Sequence, residues 1–321
     1  MKAPRIEVVV LNTNRKDDTL ACLESLAQST YPNCSVMVLD NASTDGSTEA
    51  IHARFPAVRI EALSENHGYA GNNNVGIRLA LEQGADWVFL LNEDTWVAPD
   101  CLAELIAAAQ RDLSIGVVGP MVYTFNRDQE ISSAGGVIDW WKADATNAGM
   151  GETDQGQYGA RVVGYLNGCG ILVSRAAIEK AGMLDDSYFI YYEETDWCMR
   201  ICRAGFRLWF EPRAHMRHKA PIEWTNFGPT TLYYMTRNRV RFFARYAPWR
   251  LKPVSLAQAV RGAWAHIRRF EREGRREHAR AMRWALRHAL ARHWGQAQPS
   301  LWLSDATDRT LQNPARPAVK G

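Results

Sequence analysis

The feature that most constrains the fold of this chain is a repeated order of short apolar runs and helical patterns. Ile6–Leu11, Val36–Leu39 and Trp87–Leu91 are apolar, largely β-branched or aromatic runs of strand length. Each is followed by a stretch with apolar residues at helical spacing, and the Tyr31–Pro32 pair ends the first of these helices. Strands that alternate with helices in this way are typical of a parallel sheet with right-handed crossovers. The sequence therefore predicts an α/β protein with a mostly parallel sheet flanked by helices.

Composition and cysteine spacing narrow the class of protein. The 321-residue chain is 46% hydrophobic and 23% charged, which is typical of a globular protein with a large core. Its six cysteines form no C-x-x-C pair, so we expect free buried thiols, as in a reducing compartment, rather than a structural zinc site. No apolar run approaches the roughly 18 residues of a membrane span, and no secretory signal pattern opens the chain. These features predict a cytoplasmic protein.

Polar residues follow the predicted strands, at the sheet edge where ligands of parallel sheets bind. Asp40 can accept hydrogen bonds from a nucleoside base or ribose, and the glycine- and asparagine-rich residues 66–74 can offer backbone N–H groups to a diphosphate. Glu93 and Asp94 end an apolar strand, where carboxylates are costly without a cation, and Mg²⁺ or Mn²⁺ fits. A helix cap at Asp94 is the alternative. The candidate donor-binding and metal positions here are Asn12, Asn14, Asp40, Asn66, Gly68, Asn73, Asn92, Glu93 and Asp94.

Three carboxylates lie close together further along the chain. Glu193, Glu194 and Asp196 follow an aromatic run and precede a predicted helix. A carboxylate beside others and between aromatic side chains has a raised proton affinity, which is the property a general base needs. The alternative is an acidic first turn that is favoured by the helix dipole.

These motifs, in this order, resemble those of the family 2 inverting glycosyltransferases, and the bacterial rhamnosyltransferase-like branch in particular. The resemblance spans roughly residues 5–245. It implies a GT-A fold with a Rossmann-like sheet, a nucleotide-diphosphate-sugar donor, Mg²⁺ or Mn²⁺, and a glycan or lipid-linked sugar as acceptor. The motifs that carry it are Val38–Asp45, Asn66–Gly76, Leu91–Thr95, Gly182–Asp185, Phe189–Arg200 and Pro212–His218.

The resemblance also assigns roles to the carboxylates. Asp40 matches the aspartate that recognises the nucleotide base. Asp94 matches the last carboxylate of a metal-binding D-x-D motif, whose first two positions are Asn92 and Glu93 here. Glu194 matches the catalytic base, where many relatives carry Asp. Glu193 is its possible substitute, and Asp196 is expected to support the site or the acceptor.

Two cationic positions follow from the same resemblance. His218 matches a histidine that binds metal or phosphate, with His215 as its rival. Arg237, after Tyr233 and Tyr234, is expected to stabilise the diphosphate leaving group through bidentate contacts. A buried structural ion pair is the alternative for Arg237.

The composition changes beyond Pro248. We predict a catalytic domain over residues 1–245, a basic amphipathic helical extension over 246–295 and a flexible tail over 296–321, with Trp264 on the apolar face of the first helix. Basic helices with Trp suit peripheral contact with the inner membrane face, and docking onto the catalytic domain or a homodimer partner is the alternative. No motif for nucleic-acid binding accompanies the charge.

Two other functions remain open at this level. A non-catalytic nucleotide-sugar-binding module would need Asp40 and Asp94 but not Glu194. A sugar nucleotidyltransferase would carry a glycine- and basic-rich phosphate loop near the N-terminus, and residues 12–15 are not one. The sequence therefore favours an inverting glycosyltransferase, for which rhamnose is the sugar that the resemblance implies.

Overall fold

The computed structural model describes residues 3–219 and 227–303. This part of the chain is a mixed α/β structure with helices on both sides of a central sheet. Its strands are β1 (Ile6–Asn12), β2 (Cys34–Asp40), β3 (Arg59–Ala62), β4 (Trp87–Asn92), β5 (Thr95–Val97), β6 (Ile115–Thr124), β7 (Ile131–Ser133), β8 (Gly136–Asp139), β9 (Asp144–Asn147), β10 (Arg161–Val162), β11 (Gly170–Ser174) and β12 (Arg207–His218). Its α-helices are α1 (Lys16–Ala27), α2 (Ser47–Arg54), α3 (Gly68–Glu82), α4 (Cys101–Ala109), α5 (Arg175–Ala181), α6 (Glu193–Arg203), α7 (Pro229–Tyr246), α8 (Lys252–Arg272) and α9 (Arg276–Leu290).

The central sheet has the strand order β10-β12-β6-β11-β4-β1-β2-β3. The half formed by β4, β1, β2 and β3 is parallel, and its register places Asn12 beside Asp40. β11 runs antiparallel to both β4 and β6, while β12 runs parallel to β6. The short strand β5 pairs with the end of β12, which places Thr95 opposite His218. The sheet therefore brings the end of β12 to the turn that follows β4.

The parallel strands are buried on both faces, which explains their almost continuous apolar sequences. Val8, Val10 and Phe89 belong to the core that also contains side chains of α1 and α4. On the opposite face, α3 packs against β1 through Gly76, where a Cβ atom would collide with the side chain of Val9. A glycine at this position therefore allows the helix and the strand to approach closely.

The predicted parallel α/β half is confirmed, and three details differ from the prediction. β11 and β5 were not predicted, because their partners are distant in sequence and β5 has only three residues. The stretch 66–74, predicted to offer its backbone N–H groups to a diphosphate, is largely helical, because α3 begins at Gly68. The backbone N–H of Gly68 donates to Asn66 Oδ1 and that of His67 donates to Asn72 Oδ1, so the asparagines fix the start of the helix.

The chain divides into two compact units. The described residues of the first fall within Met1–Val137, Thr146–Leu184 and Glu194–Ile222, and those of the second within Ile138–Ala145, Asp185–Glu193 and Glu223–Gly321. The central sheet belongs to the first unit. Helix α7 belongs to the second, whereas the sequence predicts a boundary at residue 245; the predicted functional boundaries themselves stay a prediction.

The second unit is built around α7, α8 and α9. Ala263, Ile267 and Phe270 of α8 pack with Met282 of α9 in one apolar cluster. Trp264, predicted on the apolar face of α8, is instead 45% exposed. The small side chains of Ala259 and Ala263 let neighbouring helices approach closely, so the buried stripe of α8 is rotated away from the tryptophan.

Part of the predicted flexible tail is packed. Trp302 is fully buried, and its ring stacks on Tyr233 with the ring centroids 4.3 Å apart. Residues 304–321 of that predicted tail lie outside the described residues. Across residues 3–219 and 227–303, no helix is long and apolar enough to cross a membrane.

Candidate active site

The carboxyl ends of β1 and β2 hold a buried carboxylate. Asn12 Nδ2 donates a hydrogen bond to Asp40 Oδ1 at 2.7 Å, and Thr19 Oγ1 donates to Asn12 Oδ1 at 2.8 Å. The backbone N–H of Ser43 donates to Asp40 Oδ2 at 3.0 Å. Because each carboxylate oxygen has two lone pairs, Asp40 keeps acceptor capacity for a further donor. Its orientation is fixed before any ligand binds.

Asn14 joins the loops that follow β1 and β2. Its backbone N–H donates to Ser43 Oγ at 2.9 Å, and its Oδ1 accepts from the backbone N–H of Thr44 at 2.7 Å. The φ angle of Asn14 is 51°, a left-handed conformation that asparagine tolerates better than most residues. The structure thus places Asn14 beside Asp40, where it holds the two loops together.

A second polar cluster lies at the turn between β4 and β5. His218 Nε2 lies 3.0 Å from Asp94 Oδ1 and 3.3 Å from Asn92 Nδ2, and all three side chains are buried. Glu93, in the same turn, is only partly buried. The backbone of Lys219 donates to Asp94 O at 3.1 Å, so strand pairing and the ion pair both hold His218 against the turn.

The alternation of side chains along β12 separates the two candidate histidines. Ala214, Met216 and His218 are buried on one face of the strand, whereas His215 is exposed and packs edge-on against Tyr123. His218 is therefore the histidine that the structure brings to Asp94.

The residues around Asp94 suit a divalent cation. Burial alone would lower the pKa of His218. The nearby Asp94 carboxylate outweighs this effect and raises the pKa to about 10. Asp94 thus stabilises positive charge at this position, and His218 can bind a metal ion only after it loses that proton. Among the described residues, no group of three or more His, Cys, Asp or Glu side chains is arranged to enclose a metal ion. Asp94 and His218 would supply two ligands, and Mg²⁺ or Mn²⁺ commonly completes such a site with water and substrate phosphates.

The predicted diphosphate loop differs from the prediction in its details. Asn73, predicted to contact the donor, is buried within α3, and its Nδ2 donates to Tyr69 O at 2.9 Å. The side chain of Asn66 is already hydrogen-bonded at the start of α3, where its Oδ1 accepts a hydrogen bond from the N–H of Gly68. The backbone N–H groups of the first turn of α3 beyond Gly68 have the geometry for binding an anion.

Glu194 lies beside the segment that leads into β11. A Cβ atom at Gly168 would lie 3.5 Å from Cβ and Cγ of Glu194 and 3.1 Å from the hydroxyl of Tyr69, which donates to Gly168 O. The next residue, Cys169, accepts a hydrogen bond from the backbone N–H of Asn92 at 3.1 Å, and its side chain contacts His218. Two consecutive residues therefore connect Glu194 to the Asp94–His218 pair.

The three neighbouring carboxylates have different surroundings. Burial raises the pKa of Glu194, the property predicted for a general base. Asp196 is fully buried and pairs with Arg200 at 2.7 Å; Arg200 also donates to the carbonyls of Ala181 and Met183. Asp196 orients an arginine that binds the chain before α6, and its predicted role in supporting the site or the acceptor stays a prediction. Glu193 is buried at the first position of α6.

Arg237 lies in a buried, structural setting, and its predicted contact with the diphosphate stays a prediction. Its guanidinium is fully buried and donates to Gly295 O at 2.7 Å and to Tyr188 O at 3.0 Å. The neighbouring Asn238 donates to the carbonyls of Tyr188, Ile190 and Tyr191 at 2.8–3.0 Å. Both residues of the motif thus hold backbone within the second unit.

Sequence reasoning missed Ser43, Tyr69 and Gly168. Ser43 and Tyr69 act through hydrogen bonds to other residues near the site, which no spacing pattern reveals. Gly168 could have been found, because Gly168 and Gly170 directly precede the apolar run Ile171–Val173, an arrangement typical of a strand with close neighbours at its start.

Comparisons with known proteins agree with this arrangement. The fold is similar to that of a mannosyltransferase from Pyrobaculum calidifontis, which was solved with GDP-Man and Mn²⁺. The match has a TM-score of 0.58 and 20% identity, and it covers 98% of this chain and 82% of the mannosyltransferase. The chain is 30% identical over 215 residues to N-acetylglucosaminyl-diphospho-decaprenol L-rhamnosyltransferase of Mycobacterium tuberculosis, covering 61% of this chain and 70% of that protein. It is 25% identical to dTDP-rhamnosyl transferase RfbF of Shigella flexneri, covering 64% and 69%.

The fold is that of the GT-A glycosyltransferases. The model of the family described as glycosyl transferase family 2 matches residues 7–182, and the chain belongs to that family. Its relatives include rhamnosyltransferases, as the order of the sequence motifs predicts.

Proposed function

We propose that this chain is an inverting glycosyltransferase that moves a sugar from a nucleotide-diphosphate-sugar to a hydroxyl group of a glycan or lipid-linked acceptor. The observation that carries the proposal is the meeting of three groups at one sheet edge of the first unit. Asp40 lies at the end of β2, the Asp94–His218 pair lies at the end of β4, and Glu194 is connected to that pair through Gly168 and Cys169.

Each group has a role that suits its surroundings. Asp40, held by Asn12 and Ser43, accepts hydrogen bonds from the nucleotide, while the first turn of α3 offers N–H groups to phosphate oxygens. Asp94 and His218 would hold Mg²⁺ or Mn²⁺, which would supply positive charge to offset the negative charge that develops on the diphosphate leaving group. Asn92 and the Asp94 backbone fix the geometry of that pair.

Glu194 acts as the general base. Its carboxylate takes the proton of the acceptor hydroxyl as that oxygen bonds to the anomeric carbon and the bond from this carbon to the diphosphate oxygen breaks. Attack from the face opposite the diphosphate inverts the configuration in one displacement. Partial burial favours this role, because a raised pKa makes the carboxylate a stronger base.

The relatives support rhamnose and a lipid-linked acceptor as the first substrates to test. The protein of Shigella flexneri is described as a dTDP-rhamnosyl transferase, and that of Mycobacterium tuberculosis acts on an N-acetylglucosaminyl-diphospho-decaprenol. We therefore propose dTDP-rhamnose as donor and a polyprenyl-diphosphate sugar as acceptor.

A panel of nucleotide-sugars, each assayed with Mn²⁺, with Mg²⁺ and with a chelator, tests this proposal. We expect metal-dependent release of nucleoside diphosphate from dTDP-rhamnose, accelerated by a polyprenyl-diphosphate N-acetylglucosamine acceptor. Release of pyrophosphate instead would identify a nucleotidyltransferase. Donor binding with no nucleoside diphosphate release, with or without the acceptor, would indicate a binding module and contradict the proposal.

A further inference from the structure

The second unit carries a strong excess of positive charge. Residues 246–303 contain twelve arginines and lysines but only three glutamates, although the net charge of the whole chain is only +3. Within the described residues, Glu271 pairs with Arg283, and Glu273 pairs with Arg269 and Arg275. These two glutamates therefore form their ion pairs close to the turn between α8 and α9. Most of the arginines in this segment face solvent.

The remaining arginines lie along the exposed sides of two packed helices. Exposed positions of α8 recur at helical spacing, as do those of α9, and the two helices pack together through Ile267, Phe270 and Met282. None of these exposed arginines forms an ion pair with another described residue. We call the following set the basic face: Arg261, Trp264 and Arg268 of α8, and Arg276, Arg280 and Arg287 of α9.

Exposed tryptophans accompany this charge. Trp264 is 45% exposed between Arg261 and Arg268, and Trp249, just before α8, is 78% exposed with Arg250 stacked over its ring at 5.0 Å. A large aromatic ring left in water is costly unless a partner covers it. Tryptophan beside arginine is the combination that suits a bilayer interface, where the ring enters the headgroup layer and the guanidinium binds phosphate.

We propose that the basic face docks this protein on the surface of a membrane rich in anionic phospholipids. The apolar sides of α8 and α9 are already buried inside the unit, so the helices contact headgroups without entering the hydrocarbon core. A second copy of the chain fits poorly, because a two-fold interface here would bring arginine rows together. The proposal does not depend on the proposed reaction, because the basic face contains none of the residues assigned to it.

Flotation of the full-length protein with lipid vesicles tests this docking. We expect binding to vesicles of phosphatidylglycerol and phosphatidylcholine, weaker binding at high salt, and little binding to phosphatidylcholine alone. The double variant Arg268→Glu with Arg280→Glu should bind anionic vesicles at least about 30-fold more weakly, since each cation near such a surface contributes a several-fold effect. Trp264→Ala should also weaken binding without a change in charge.

The matched control is Arg78→Glu with Lys180→Glu, which changes the net charge equally at exposed positions of the first unit. It should bind vesicles like the wild type, and the helical circular dichroism of both double variants should be unchanged. The proposal is overturned if the wild type does not float with anionic vesicles or if the control loses as much binding. Capture by duplex DNA without vesicle binding would overturn it in favour of a nucleic-acid partner.

Discussion

Replacing Glu194 by glutamine is expected to reduce the turnover number about 100- to 10,000-fold, the usual contribution of a positioned general base. Glutamine has nearly the same shape, so the contact with Gly168 should persist and donor affinity should change little. The amide cannot accept the proton of the acceptor hydroxyl, so the loss should fall on turnover rather than on binding. Steady-state kinetics together with titration of the donor separate the two quantities.

The pH dependence provides an internal check on this assignment. Burial raises the pKa of Glu194 above the ordinary 4.5, and only the deprotonated form acts as base. Wild-type turnover should therefore fall as the pH decreases through that raised pKa, and the residual activity of Glu194→Gln should lack this decline. Glu82→Gln, at the exposed end of α3, is the control and should behave like the wild type. Undiminished turnover in Glu194→Gln would contradict the role of this carboxylate.

Replacing Asp94 by asparagine is expected to lower kcat/KM about 100- to 1,000-fold, comparable to the removal of one group that stabilises charge in a transition state. The variant should also need a higher Mn²⁺ concentration for half-maximal activity, because it loses the carboxylate that pairs with His218. Activity measured across a metal titration gives both values.

The two histidines of β12 supply a matched pair for this experiment. His218→Gln should raise the metal requirement as Asp94→Asn does, whereas His215→Gln, on the exposed face, should not. Asp100→Asn, an exposed carboxylate at the start of α4, controls for the loss of one negative charge. Equal metal requirements in Asp94→Asn and the wild type would show that Asp94 does not hold the metal.

The parts of the fold that sequence could predict are those set by local pattern. The parallel strands have nearly continuous apolar runs because both faces are buried, and these runs are visible without any structure. The antiparallel strand β11 and the three-residue strand β5 depend on partners distant in the sequence, so no local period reveals them. Trp264 was misplaced because the buried stripe of α8 runs through Ala259, Ala263 and Ile267 and leaves the tryptophan beside it.

The candidate site was predictable in its chemistry and less so in its geometry. Position after a strand was enough to select Asp40 and Asp94, because strand ends in parallel sheets share one edge. The choice of His218 over His215 needed the alternation of β12 and its pairing with β5. The sequence could not reveal that the Arg237 guanidinium binds the carbonyls of Gly295 and Tyr188, because the same donors can also bind a diphosphate.

The most direct test of the central claim, a single displacement assisted by Glu194, is the anomeric configuration of the first-formed product, read by NMR during the first turnovers. We predict the configuration opposite to that of the donor, with water or the natural acceptor as nucleophile. Retention of the donor configuration would require two displacements or attack from the same face, and would contradict a mechanism in which one carboxylate serves as base.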